Sequence, residues 1–198
     1  VLHTHLAVGA TIAQLGTLTF VAQVVEAMAT FRCTGFSGVP ATFARLLSFG
    51  SFDKYDLSNL RYLTQAGAAM TPALIEKLRG TFPRTQVFVM YGQTEAAARL
   101  AYVPPERLVD KLGSAGRAIP GVTLRILNAQ GEELPRGQVG EVVATGDNVM
   151  LGYHEDPDET ARVLRPEGLR TGDLGHMDDE GYLFLQGRES ALIKSAGH

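Results

Sequence analysis

The stretch TQVFVMYGQTE (85–95) changes from apolar to polar residues within a few positions. Its first half is rich in β-branched and aromatic residues, which favour a buried strand. Tyr91 then offers a flat π-face, and Gly92 leaves space beside it for a stacked ring. Thr94 adds a hydroxyl suited to a phosphate oxygen, and Glu95 adds a carboxylate of the kind that holds Mg²⁺. The pattern predicts a strand that ends in a ligand-binding loop.

A purely structural explanation of the same stretch is also available. In that explanation the strand is followed by a helix over EAAARL (95–100), and Thr94 is its N-cap. YGQTE (91–95) taken by itself favours this structural explanation. The rest of the chain must therefore decide between the two.

The residues before this stretch alternate between helical and strand patterns. Apolar residues recur at helical spacing over 21–28, and TGFSGV (34–39) favours a short strand. Thr71 followed by Pro72 predicts the N-terminus of a further helix. This alternation predicts an α/β fold with a largely parallel sheet and covering helices.

The pattern changes after Pro104 to short strands separated by turns. VGEVVAT (139–145) and YLFL (182–185) are strand candidates with few helical features. This half predicts a small β-rich, barrel-like subdomain. We therefore expect an α/β subdomain at 1–105 and a β-rich subdomain at 106–187.

Two acidic runs resemble metal sites but have structural explanations. In EDPDE (155–159) we expect Asp156 to be a helix N-cap that forms a capping box with Glu159. DDE (178–180) is typical of a hairpin turn. We favour the structural role for both runs.

Composition excludes several classes of function. The chain has 198 residues, of which 45% are apolar and 20% charged, and a formal net charge of −3. These values are typical of a soluble globular protein and do not support binding to nucleic acid. The first 25 residues lack charges, but polar residues interrupt them, so we expect neither a membrane span nor a signal peptide.

Histidine and cysteine point to no further chemistry. His3 and His5 alternate in a strand-like segment that lacks a third ligand, which argues against a metal site there. Cys33 stands alone, so internal disulfides are excluded and a reducing compartment, the cytoplasm, is expected.

Further stretches carry groups that suit a nucleotide. TQAGAAM (64–70) is a loop of small residues, whose backbone a flat ligand can approach. Asp173, in RTGDL (170–174), can accept hydrogen bonds from two vicinal sugar hydroxyls, and Arg188 supplies a fixed fork of donors. The structural alternatives are a turn at Asp173 and a surface ion pair at Arg188.

The order and spacing of these stretches resemble the adenylate-forming superfamily, which includes acyl-CoA synthetases, luciferase-like ligases and the adenylation domains of peptide synthetases. QAGAAM (65–70) stands where that family has its adenine loop. YGQTE (91–95) matches its tyrosine-glycine-x-threonine-glutamate motif, and RTGDL (170–174) matches its ribose motif. The resemblance also covers GEV (140–142), Gly152 with Tyr153, PDETA (157–161), Gly181 with Tyr182, and Gly187 with Arg188.

The resemblance implies an AMP-forming ligase that condenses a carboxylic acid with ATP to an acyl-adenylate. The acyl group then passes to a thiol, usually that of coenzyme A, and Mg²⁺ assists. The family positions near the acyl group correspond to 35–41, 64–70 and 96–99, which do not name the acid. The implied site residues are Ala66, Gly67, Ala68, Tyr91 and Gly92 for adenine, Thr94 for the α-phosphate, Glu95 for Mg²⁺, and Asp173 and Arg188 for ribose, with Thr94 and Glu95 catalytic.

Several features depart from the family pattern. Ala66 replaces a glycine of the adenine loop, a mild change if its backbone φ is negative. Ser190 stands where the hinge commonly has Asp or Lys. The lysine-bearing phosphate loop and the C-terminal domain with its lysine have no counterpart. We therefore expect 188–198 to be a hinge stub and the 198-residue chain to have little or no ligase activity.

Two alternatives remain open at this point. The chain is either part of such a ligase or a non-catalytic, truncated AMP-binding or interaction module, which would favour self-association. An adenylation domain that serves a carrier-protein thiol differs from a coenzyme A ligase only in the acceptor.

Overall fold

The structure is a computed structural model that describes residues 2–15, 20–97 and 99–188. It divides into two compact units, with the boundary between Phe88 and Val89. The subdomain boundaries after 105 and 187 stay predictions. Of the predicted hinge stub, positions 189–198 lie outside the described residues, Ser190 among them.

Helices and strands alternate in the first part of the chain, and strands dominate the second. The α-helices are α1 (Leu2–Ala7), α2 (Val21–Thr30), α3 (Pro40–Leu47), α4 (Pro72–Thr81) and α5 (Pro157–Val163). The strands are β1 (Gly35–Gly38), β2 (Tyr62–Gln65), β3 (Gln86–Tyr91), β4 (Ala101–Val103), β5 (Arg117–Ala118), β6 (Val122–Leu127), β7 (Gly140–Gly146), β8 (Leu164–Arg165), β9 (Gly168–Met177) and β10 (Leu183–Arg188).

The first unit has the α/β character that the sequence predicts. Strands β1 and β2 pair in parallel, with Gly35 opposite Tyr62 and Gly38 opposite Gln65. Helix α4 begins where expected, because the Thr71 side chain accepts a hydrogen bond from the Leu74 N–H at 3.4 Å. The α/β fold class, with its parallel pair and covering helices, is confirmed.

One local prediction in this unit is wrong. His3 and His5 lie in the short helix α1 rather than in a strand-like segment. Within the described ranges, no helix is long and apolar enough to cross a bilayer.

Antiparallel pairing dominates the second unit, as the β-rich prediction requires. Strands β6, β7, β9 and β10 form one antiparallel sheet, and β8 pairs with β9. Strands β3, β4 and β5 also pair antiparallel. A shared apolar core contains side chains from both groups of strands, among them Tyr91, Ile126, Val142, Leu169 and Leu183.

A short crossing connects these two groups of strands. Leu183, the first residue of β10, bridges Gly116, and its N–H donates to the Gly116 carbonyl at 2.9 Å. The Leu183 carbonyl accepts from the Ala115 N–H at 2.8 Å and from the Ser114 hydroxyl at 2.7 Å. The close approach fixes where β10 starts, and therefore where its last residue, Arg188, lies.

The predicted capping box of α5 is only half present. The Asp156 side chain accepts from the Glu159 N–H at 3.0 Å, which confirms the N-cap. The Glu159 carboxylate, however, binds Arg162 instead of reaching back to the Asp156 N–H. A charged guanidinium three residues away is a stronger partner than a backbone amide, so the reciprocal bond of the box does not form.

The second acidic run closes the hairpin between β9 and β10. The Gly181 N–H donates to the Asp178 carbonyl at 2.9 Å, as expected for a tight turn. Lys111 donates to Asp178 at 2.7 Å and to Glu180 at 2.5 Å, and its ammonium lies 4.8 Å from the centre of the Tyr182 ring. The structural explanation of this run is confirmed.

We expect Lys111→Met to lower the thermal unfolding temperature at pH 7 and to matter much less in acid. Hydrogen bonds from Lys111 and then from Arg107 lower the pKa of Glu180 below its ordinary 4.5. A carboxyl group with a lowered folded-state pKa stabilises the folded chain above its unfolded pKa and loses that effect as pH falls through the folded value. Thermal unfolding of both chains at pH 7 and below pH 4.5 measures the difference, with the exposed Lys77→Met as control. An equal difference at both pH values would contradict this assignment.

Candidate functional site

Strand β3 delivers Tyr91 to the core of the second unit. Tyr91 is only 8% exposed, and its hydroxyl donates to Asp173 Oδ2 at 2.7 Å. The two residues are 82 positions apart in the chain. Burial, followed by the nearby Asp173 carboxylate, raises the pKa of Tyr91, so the hydroxyl stays protonated and acts as a donor at neutral pH.

The chain after Tyr91 forms a tight loop, not the helix over 95–100 that was the structural alternative. Thr94–Ala96 make a single 3-10 turn, and Ala97 has a φ of +24°. The chain then turns back, and the Leu100 N–H donates a hydrogen bond to the Tyr91 carbonyl at 2.8 Å. Helix propensity favours EAAARL as a helix, but the return to Tyr91 and the burial of Ala96 and Leu100 override it.

Asp173 lies in a bulge of strand β9. Thr171, Gly172 and Asp173 face Val142 alone across the pairing with β7. The Thr171 hydroxyl donates to the Val142 carbonyl at 2.7 Å and accepts from the Asp173 N–H at 3.1 Å. Gly172 has a φ of +70°, which a side chain would strain. Each residue of the Thr-Gly-Asp sequence thus has a separate task in presenting the carboxylate.

Glu141 supports the same bulge from strand β7. Its carboxylate accepts from the Gly172 N–H at 3.2 Å and from Arg170 Nε at 2.6 Å. The hydrogen bond to Glu141 raises the pKa of Arg170, so the guanidinium stays charged. The bulge is therefore held by an ion pair as well as by backbone pairing.

Strand β10 brings Arg188 to the other oxygen of Asp173. The two residues are direct neighbours in the β9–β10 pairing, and Arg188 Nε donates to Asp173 Oδ1 at 2.9 Å. The Arg188 side chain is 61% exposed, whereas that of Asp173 is 9% exposed. The structure thus joins Tyr91, Asp173 and Arg188, three of the predicted site residues, in one hydrogen-bonded group.

Glu95 has a partner that the sequence analysis assigned no role. The Tyr153 hydroxyl donates to Glu95 Oε1 at 2.8 Å, and this bond raises the pKa of Tyr153 to about 12. Within the described ranges, Glu95 Oε2 has no hydrogen-bond donor. The half-buried carboxylate therefore has one fixed oxygen and one available oxygen.

Thr94 and Gly92 lie beside these groups along the chain. Thr94 is exposed, and its hydroxyl has no hydrogen-bond partner in the part of the chain that the structure describes. Gly92 is half-buried directly after Tyr91. Both residues remain available to a ligand that contacts Tyr91 or Glu95.

The predicted adenine loop belongs to the first unit. Gln65 is buried, and its Nε2 donates to the Ala68 carbonyl at 2.5 Å across the loop. Gly67 has a φ of +91°, whereas Ala66 is not among the residues with positive φ, as expected for a mild glycine replacement. Positions 67–69 are exposed, and the role of the loop in binding adenine stays a prediction.

Comparison with protein families decides what this arrangement belongs to. The model of the AMP-binding enzyme family matches residues 1–154. The chain is a member of the AMP-binding enzyme family. The match includes the loop at 64–70, Tyr91, Glu95 and Tyr153, whereas Asp173 and Arg188 lie beyond it.

Similar proteins extend the similarity beyond residue 154. Indoleacetate–CoA ligase of Aromatoleum aromaticum is 39% identical over 160 residues, which are 80% of this chain and 31% of that enzyme. The amide bond synthetase McbA of Marinactinospora thermotolerans has a TM-score of 0.87 and 34% identity, over 93% of this chain and 37% of that one. O-succinylbenzoate coenzyme A synthetase of Bacillus subtilis, in complex with AMP, has a TM-score of 0.86 and 28% identity, over all of this chain and 40% of that one. The chain thus spans about a third of the length of the curated relatives it matches.

The described residues do not by themselves offer a metal ion a complete set of ligands. Groups of three or more His, Cys, Asp or Glu that could hold a metal are not found among the described residues. Glu95 Oε2 is a single hard oxygen without a donor, and Mg²⁺ is usually bound by one or two carboxylates together with substrate phosphates. The residues present therefore fit Mg²⁺ that arrives with a nucleotide.

The sequence analysis did not identify the residues that orient Glu95 and Asp173 through hydrogen bonds. Tyr153 and Glu141 were recognised only as members of family motifs, without a task. Thr171 was recognised only as a member of the ribose motif, likewise without a task. The available signal was that all three accompany Asp173 and Glu95 in the family pattern, but their partners lie far away in sequence.

Proposed function

We propose that the chain forms one side of the nucleotide site of an AMP-forming acid–thiol ligase, an acyl-CoA synthetase. The observation that carries the proposal is the bonding of Tyr91 and Arg188 to the two oxygens of Asp173. These residues come from three separate stretches that carry the family resemblance. The homologous CoA ligases support the same assignment.

Asp173 is suited to the ribose. Each of its carboxylate oxygens already accepts one hydrogen bond, and a carboxylate can accept about four in all. Two vicinal hydroxyls of a ribose would use the remaining capacity. Arg188 keeps the carboxylate aligned, and Tyr91 places an aromatic ring beside it, where the adenine of the same nucleotide would lie. By resemblance to the family motifs, Ala66, Gly67, Ala68 and Gly92 are also assigned to the base.

Thr94 and Glu95 are suited to the phosphate. The exposed Thr94 hydroxyl would donate to an oxygen of the α-phosphate. Glu95 Oε2 would hold Mg²⁺, which when bound neutralises phosphate charge that grows as the acid attacks. The protein's contribution is to place both groups before the reaction, because fixed donors stabilise the transition state more than mobile ones. These are the catalytic roles that we assign to Thr94 and Glu95.

The substrate assignment follows the relatives. Indoleacetate and o-succinylbenzoate are aromatic acids in the names of similar CoA ligases, so we propose an aromatic carboxylic acid as the acyl donor. Coenzyme A is the proposed acceptor, and a carrier-protein thiol or an amine, as the name of the amide bond synthetase suggests, is the alternative. We further propose a cytoplasmic location and self-association through exposed apolar residues such as Phe20 and Phe31.

We expect the chain to bind AMP and to lose most of that affinity when the ribose hydroxyls are absent. Two hydrogen bonds to a charged carboxylate are worth about 3 kcal/mol together at the low end, so 2′,3′-dideoxy-AMP should bind about 100-fold more weakly. A non-hydrolysable acyl-sulfamoyl-adenosine with an aromatic acyl group should bind more tightly than AMP. Isothermal titration calorimetry with AMP, 2′,3′-dideoxy-AMP and the acyl-sulfamoyl-adenosine measures the order of the three affinities.

Two results would count against the proposal. Equal affinity for AMP and 2′,3′-dideoxy-AMP would remove the ribose role of Asp173. An acyl-sulfamoyl-adenosine that binds no better than AMP would favour the non-catalytic AMP-binding module over the ligase.

A further inference from the structure

The loop that carries Glu95 is held by a second stretch of chain, the 148–153 segment. Asn148 Nδ2 donates to the Ala96 carbonyl at 3.1 Å and to the Arg99 carbonyl at 2.9 Å. The Met150 N–H donates to the Glu95 carbonyl at 2.8 Å. The hydrogen bond from Tyr153 to the Glu95 carboxylate is the fourth contact, and the only one of the four to a side chain.

Helix α5 in turn fixes the position of Tyr153. The Tyr153 N–H donates to Thr160 Oγ1 at 2.8 Å, and the Thr160 hydroxyl donates to the Asp156 carbonyl at 2.7 Å. Thr160 also packs against the backbone at Gly152, where a Cβ atom would lie 2.9 Å from Thr160 Cγ2. The segment therefore has a rigid support, and glycine at 152 is what lets the threonine approach.

We propose that Tyr153 is a positioning residue that orients the Glu95 carboxylate for a metal ion, and that the 148–153 segment with Thr160 exists to place it. The inference rests on the proposed nucleotide site and assigns a task to residues outside the groups that touch the nucleotide. Tyr153 acts through Glu95 and does not itself contact the ligand.

The physical reason lies in the freedom of a glutamate side chain. An isolated Glu has three rotatable bonds, and ordering it for a metal costs conformational free energy each time the metal binds. The bond from Tyr153 fixes Oε1 and so directs Oε2. Partners that orient a metal ligand in this way typically change metal affinity by a factor of 10 to 100 when removed.

The test is Tyr153→Phe, which removes the hydroxyl and keeps the ring. Two quantities are measured by titration calorimetry: the affinity for AMP without metal, and the Mg²⁺ concentration that gives half of the metal-dependent gain in ATP affinity. We expect the AMP affinity to stay within about twofold and the half-saturating Mg²⁺ concentration to rise about tenfold. Thermal unfolding without ligand should change little, since the half-buried ring remains in place.

Matched variants separate positioning from general structure. Tyr55→Phe, in the first unit, removes a hydroxyl that has no hydrogen-bond partner among the described residues and should change neither quantity. Thr160→Val removes the support of Tyr153 and should raise the Mg²⁺ requirement by a smaller factor. Glu95→Gln should abolish the metal-dependent gain in ATP affinity.

The outcomes are distinguishable. An unchanged Mg²⁺ requirement in Tyr153→Phe, or a wild-type ATP affinity that is independent of Mg²⁺, would overturn the inference and leave AMP binding intact. A tenfold loss of metal-free AMP affinity in Tyr153→Phe would also overturn it, because the residue would then shape the nucleotide site itself. Absence of AMP binding by the wild-type chain would instead remove the proposed function and the inference together.

Discussion

Asp173→Ala should reduce the affinity for AMP by at least about 100-fold, because the variant loses the acceptor for both ribose hydroxyls. It should also bind AMP and 2′,3′-dideoxy-AMP equally, since the contact that distinguishes them is gone. Stability should fall as well, because the Tyr91 hydroxyl loses its acceptor inside the core, at a cost of about 1 to 3 kcal/mol. Titration calorimetry and thermal unfolding measure the two effects on the same samples.

A second substitution separates the loss of binding from the loss of stability. Adding Tyr91→Phe to Asp173→Ala removes the unpaired hydroxyl, so the double variant should regain stability but not the affinity for AMP. Asp110→Ala, which removes an exposed carboxylate from a surface ion pair, should leave AMP affinity unchanged. If Asp173→Ala kept its preference for AMP over the dideoxy compound, the ribose would have to be recognised elsewhere.

Among glycine-to-alanine substitutions in the second unit, Gly116→Ala should be the most destabilising, judged by the contacts that the added Cβ would make. A Cβ at this position would lie 2.0 Å from the carbonyl carbon of Tyr102 and 2.5 Å from the nitrogen of Val103. Both are backbone atoms of β4, at the crossing with Leu183, and cannot move aside as a side chain end can. With a φ of +101° added, we expect a loss of about 4 kcal/mol or more in the free energy of unfolding.

Gly113→Ala is the matched control for this prediction. Gly113 has a similar φ of +85°, but a Cβ there has nothing within 4 Å. Its substitution should cost only the backbone strain, about 1 to 2 kcal/mol. Urea denaturation of the wild type and both variants gives the comparison, and equal losses for the two alanines would show that the crossing is not tightly packed.

Features set by neighbouring residues were predictable from the sequence. The N-caps Thr71 and Asp156 and the turn that ends at Gly181 depend on contacts within four positions, and all three are confirmed. The helix over 95–100 is wrong for the opposite reason. The conformation of these residues depends on the hydrogen bond from Leu100 to Tyr91 and on packing in the core, and neither can be read from local helix propensity.

In the candidate site, too, the sequence identified residues within motifs but not the contacts between distant residues. Tyr91, Asp173 and Arg188 were found through a resemblance of motifs, and the hydrogen bonds that join them were not predictable from spacing. Tyr153 and Glu141 were visible as motif members, but their tasks appear only when Glu95 and Gly172 are placed beside them. A side chain whose role is to orient another has no local chemical signature, because its partner determines its function.

The central claim is that Tyr91, Asp173 and Arg188 form one wall of an adenosine site. A crystal structure of the chain grown with saturating AMP tests it most directly. We predict both ribose hydroxyls within hydrogen-bond distance of the Asp173 carboxylate and the adenine against the Tyr91 ring. AMP ordered at another surface, with Asp173 contacting only Tyr91 and Arg188, would contradict the claim.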